Sequence, residues 1–84
     1  MQAKYEPSII RKLDQLLHDN IVLKWIASKI IDFDELVHYW ELGYATNPIN
    51  QNWHFILCTF DTLDELKVWC DLHGLDSNKL DIRD

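Results

Sequence analysis

The chain has 84 residues, 48% of them hydrophobic and 12% aromatic, with a formal net charge of −6. That length confines residues 1–84 to a single domain with one modest core, with no room for a cofactor-binding half beside a catalytic half. The apolar content is too high for a disordered chain, and the negative balance opposes gripping DNA, RNA or an anionic membrane.

The first residues, Met1 to Pro7, are polar and broken by proline, unlike a secretory leader. From Pro7 to about His18, Ile9, Ile10, Leu13, Leu16 and Leu17 recur at three- and four-residue steps, which predicts an amphipathic helix. Asp19-Asn20 supplies its stop. The segment Ile21–Ile31 is apolar on most of its length, interrupted by Lys24 and Lys29, and is read as a second, largely buried helix. It is too short to span a bilayer. Asp32 followed by Glu35 resembles a capping box, and Phe33, Leu36, Val37 and Trp40 then give a third helical stripe that stops at Gly43. Thr46 to Asn52 reads as a loop.

Trp53 to Phe60 is aromatic and apolar enough for a buried strand. Thr62 with Glu65 is another capping box, opening a helix with Leu63, Leu66, Trp69, Cys70 and Leu72 and ending at Gly74. Residues 79–83 alternate like a short edge strand, and strand–helix–strand would make a parallel pair with a crossover between. The expected fold is therefore α+β but mostly helical, with about four helices, a strand near 53–60 and a second near 79–83. An all-α bundle is the alternative.

Charge is unevenly spread. Residues 1–30 hold five bases against three acids, whereas residues 31–84 hold three bases against eleven acids. No lysine or arginine stands between Lys29 and Lys67, a window containing Asp32, Asp34, Glu35, Glu41, Asp61, Asp64 and Glu65. A solvated face with helix-start acids explains such a window in part. Its physical use would be to meet a basic surface, with Trp and Tyr as desolvated anchors. Tyr39 and Tyr44 fall off the apolar stripe, so Asp34, Glu35, Tyr39, Glu41 and Tyr44 form the candidate partner-binding set. The third helix, with three acids and no base, cannot serve as the reading helix of a helix-turn-helix, so no direct nucleic-acid contact is expected.

His54, Cys58, Cys70 and His73 have metal-ligand chemistry, and their spacing would allow two ligands per element. Both cysteines sit in apolar runs, however, where a free thiol behaves as a small hydrophobe. No metal or cofactor is expected. The serines lack a nucleophile elbow and two glycines cannot build a phosphate loop, so no enzyme is expected either. Two isolated cysteines suit a reducing cytoplasm.

By size and charge alone the chain resembles small accessory proteins of phages and plasmids. The likeness implies a non-enzymatic interaction module, an acidic inhibitor or regulator covering a basic, nucleic-acid-binding surface of a partner protein. An antitoxin or immunity protein would have the same composition. A structural subunit forming a homodimer through an apolar helix at 21–31 is the remaining alternative.

Overall fold

The computed structural model describes residues 7–46 and 54–84. Most of the expected loop, and Trp53 at the start of the expected strand, lie outside those residues. Among them the chain runs α1 (Pro7–Asp19), β1 (Lys24–Asp32), β2 (Val37–Ala45), β3 (Phe55–Phe60), α2 (Leu63–Leu72), a 3-10 turn (Ser77–Lys79) and β4 (Asp81–Arg83). The strands form one mixed sheet in the order β3-β2-β1-β4. β1 with β2 and β2 with β3 are antiparallel, and β1 with β4 is parallel. The mostly helical reading and the all-α alternative are both overturned. This is an α+β sheet protein with two α-helices among the described residues.

Two of the expected helices are strands. The segment 21–31 is mainly β1, hydrogen-bonded to β2 on one side and β4 on the other. A near-continuous apolar run fits a strand buried on both faces as well as it fits a buried helix. The β-branched Ile21, Val22, Ile26, Ile30 and Ile31 favour the strand. A homodimer through a helix at 21–31 falls with that helix.

The capping signal at Asp32 is locally correct but closes a different structure. Asp32 Oδ1 accepts from the backbone N–H of Asp34 at 3.0 Å and of Glu35 at 3.2 Å. These bonds shape the turn Phe33–Leu36 between β1 and β2, and the paired residues Asp32 and Val37 flank it. Leu36 takes φ 56° and completes the reversal. Beyond it, His38, Trp40, Leu42 and Tyr44 lie on one face of β2, with Tyr39, Glu41 and Gly43 on the other. Gly43 is inside the strand rather than at a helix end, beside a bulge in the pairing with β3.

The remaining expectations hold in outline. Asn20 ends α1 in a left-handed conformation at φ 54°, with its N–H donating to the Leu16 carbonyl at 3.1 Å. Thr62 Oγ1 accepts from the Glu65 N–H at 3.2 Å and starts α2. Gly74 at φ 85° ends it, and the Leu75 N–H donates back to the Cys70 carbonyl at 2.8 Å in a Schellman arrangement. The short C-terminal strand exists, but it pairs with β1 and not with β3. The connection through α2 therefore passes two strands and joins opposite edges of the sheet.

Leu13 from α1 and Leu66, Trp69 and Cys70 from α2 pack with Ala27, Leu42, Cys58 and Phe60 on one sheet face. The opposite face carries a polar row across all four strands: Arg83, Ser28, Glu41 and Thr59. On that face Asp81 accepts from Arg83 at 2.9 Å and faces the Lys24 ammonium at 3.6 Å.

Left-handed backbone costs a non-glycine residue roughly 1–2 kcal/mol, and asparagine bears it best. Leu36 is exposed, so its side chain recovers little of that cost by packing. Leu36→Asn is expected to raise stability by about 0.5–1 kcal/mol, read as an upward shift of the thermal or denaturant midpoint.

Candidate functional site

The topology gathers one end of the sheet. The C-terminal ends of β1, β3 and β4 all point there, because β3 and β4 both run in the direction of β1. The β1–β2 turn with Asp32, Asp34 and Glu35 lies at this end, as do Asp61 and Asp64 where β3 passes into α2. Asp34, Glu35, Asp61 and Asp64 are exposed. No lysine or arginine among the described residues forms an ion pair with Asp34 or Glu35.

The hairpin projects. β3 pairs with β2 only from Trp40 onward, so Ile30–Tyr39, Ile31–His38 and Asp32–Val37 form three pairs beyond its end. At about 3.3 Å per residue that is roughly 10 Å of two-stranded ribbon before the turn. The ribbon is rich in apolar side chains that its neighbours do not cover. At the turn Phe33 is 79% and Leu36 81% exposed, and Ile31 and Val37 behind them are also exposed. Two carboxylates, Asp34 and Glu35, separate the two apolar turn residues in sequence.

The five residues of the expected partner-binding set do not meet on one surface. Asp34 and Glu35 stand at the turn. Tyr39 and Glu41 lie half-buried on the face of β2 turned away from the core residues of α1 and α2. Tyr44 is on the other face and only 7% exposed, its ring 5.7 Å from that of Trp25 and 5.4 Å from that of Phe55. It belongs to the protein's interior, and the strand period of two is what separates it from Tyr39.

Phe33 and Leu36 are the candidate residues that the helical reading missed. It placed them on a buried stripe. The signal that could have found them is Asp32-Phe33-Asp34-Glu35 flanked by Ile30-Ile31 and by Val37, a turn former between two β-favouring runs.

The four potential zinc ligands are dispersed into other roles. Cys58 and Cys70 are free thiols buried in the core, Cys58 on β3 and Cys70 on α2. Burial pushes both thiols up to about 12, with Cys70 adding to the rise at Cys58 and Asp71 to that at Cys70. The His73 ring packs on Trp69 at 4.5 Å. His54 lies beside Gly43, and its Nδ1 is buried without a hydrogen-bond partner. Among the described residues, no group of three or more His, Cys, Asp or Glu side chains is arranged to hold a metal ion. No helix among them is long and apolar enough to cross a membrane.

No family model, curated protein or solved structure matches this chain.

Proposed function

We propose that this protein is a non-enzymatic interaction module of the cytoplasm, an acidic inhibitor or regulator that covers a basic, nucleic-acid-binding surface of a partner protein. The observation that carries this reading is the collection of exposed carboxylates at one end of the sheet, around a hairpin tip whose Asp34 and Glu35 make no ion pair with a described lysine or arginine. Gathering like charges costs self-repulsion in the isolated protein, and a cationic partner relieves it. Such a patch accelerates encounter and sets orientation more than it adds affinity. The same charge repels phosphate, so the contact is with the basic protein and not with its nucleic acid. Two free, buried thiols suit a reducing compartment.

The test is capture of partners with the wild-type protein and with Asp34→Lys/Glu35→Lys, at low and at raised salt. Both positions are exposed and their carboxylates make no ion pair with a described lysine or arginine, so the fold should survive. Proteins with basic surfaces are expected on the wild type, lost from the variant and weakened by salt. For a purified partner, association should slow by about tenfold or more. Retention of the same proteins by both baits would overturn the reading.

A further inference from the structure

We infer that the tip of the β1–β2 hairpin is the anchor of the interface: Phe33 and Leu36 enter an apolar pocket on the partner protein, while Asp34 and Glu35 meet lysine or arginine on its rim. This deepens the proposed function and rests on it for the basic rim alone.

Three observations carry it. First, Phe33 and Leu36 are more exposed than any other large hydrophobic side chain among the described residues. Ile31 and Val37 stand behind them on opposite faces of the ribbon, so the exposed apolar side chains gather on one projecting element. Second, the turn is held in shape before any partner arrives. Asp32 Oδ1 fixes the N–H groups of Asp34 and Glu35, so less ordering remains to be done on binding. Third, leucine is the wrong residue for Leu36 in the isolated protein. It occupies a left-handed position at φ 56° and buries little there. Strain of this kind, retained where packing does not require it, points to a use outside the monomer.

Charge selects the occupant. A second copy of the chain would bring its own Asp34 and Glu35 against the first pair, and like charges in contact cost several kcal/mol. An anionic lipid surface is repelled in the same way. A pocket with basic rim groups satisfies both the apolar and the acidic side chains of the tip.

The experiment selects binders to the intact protein from a display library of one small randomised scaffold, without steering them to any epitope. Two variants then map them: Phe33→Ser/Leu36→Asn, which keeps the charges, and Asp34→Asn/Glu35→Gln, which keeps the apolar tip. Thermal unfolding checks both, and the first should be at least as stable as the wild type. Most binders are expected to lose roughly thirtyfold in affinity on the first variant, the loss of a hot-spot pair. Their paratopes should be enriched in lysine and arginine, and the second variant should slow their association. Binders indifferent to Phe33→Ser/Leu36→Asn would overturn the anchor. Binders that need Phe33 and Leu36 but carry no basic residues and ignore salt would overturn the basic-surface reading and leave the anchor standing. Sedimentation of the protein alone, showing a dimer that Phe33→Ser/Leu36→Asn dissolves, would make a second copy the occupant and overturn the proposal.

Discussion

Gly43→Ala is expected to cost about 3 kcal/mol, the upper part of the range for forcing extra volume into a packed site. A Cβ at this position would stand 2.6 Å from the Phe55 carbonyl oxygen and 2.7 Å from Cδ2 of His54. Neither neighbour can yield easily. The carbonyl belongs to the backbone of β3, and the bulge beside Gly43 fixes where that backbone runs. The ring of His54 has little room either, since its Nδ1 is already buried. Gly74→Ala is the matched control. Its φ of 85° makes alanine strained, but among the described residues no atom beyond its chain neighbours stands within 4 Å of the added methyl, so only the left-handed backbone cost of roughly 1–2 kcal/mol applies. For a chain of this length each kcal/mol moves the thermal midpoint by roughly 4–8 °C. A midpoint for Gly43→Ala equal to or above that of Gly74→Ala would show that β2 and β3 are not this close.

Gly43 also illustrates what the sequence could and could not tell. A glycine after an apolar run reads as a helix stop, because the left-handed cap is the commonest reason for one there. Here the reason is close approach of the Phe55 backbone, which is remote from Gly43 in sequence. The start and stop of α2 were legible because they are local: Thr62 bonds three residues ahead, and Gly74 reverses the chain where it stands. So was α1, whose apolar stripe needs no partner to be recognised. β1 and β2 were not legible. The spacing Phe33, Leu36, Val37, Trp40 matches one face of a helix, and only the pairing from Asp32–Val37 onward to Lys24–Ala45 makes Val37 and Trp40 extended and leaves Phe33 and Leu36 in the turn. Tertiary pairing outweighs a four-residue periodicity.

The site divides along the same line. The acidic window is a property of the sequence alone. Its concentration at one end follows from sheet order, which sends the ends of β1 and β3 the same way. The anchor residues changed most, because a strand and a turn stand where a helix was expected: Tyr44 moved inside and Phe33 outside, while Trp40 kept its place against the core.

The stability of the protein should fall steeply above pH 9. A cysteine thiol in the unfolded chain titrates near 9, whereas Cys58 and Cys70 in the folded protein are pushed up to about 12, chiefly by burial. Below pH 9 folded and unfolded states both keep the two protons, and the full contribution of the buried thiols is present. As pH rises from 9 toward 12 the unfolded chain releases protons that the folded protein retains, so unfolding becomes progressively easier. Each thiol contributes a slope of roughly 1.4 kcal/mol per pH unit. Because the two thiols influence one another, their combined slope falls between roughly 1.4 and 2.7 kcal/mol per unit. Against a total stability of about 5–10 kcal/mol for a protein this small, that is enough to unfold it near the upper end of the window. The measurement is denaturant unfolding at intervals from pH 8 to 11, for the wild type and for Cys58→Ala/Cys70→Ala. Every other ionisable side chain is common to both proteins, so the difference between the curves isolates the thiols. The variant starts less stable, because two core side chains have been shortened, but its alkaline limb should be the flatter one, and the curves should converge as pH rises. Parallel limbs would mean that the thiols ionise as readily in the folded protein as in the unfolded chain. Cys58 and Cys70 could not then be sealed between β3 and α2.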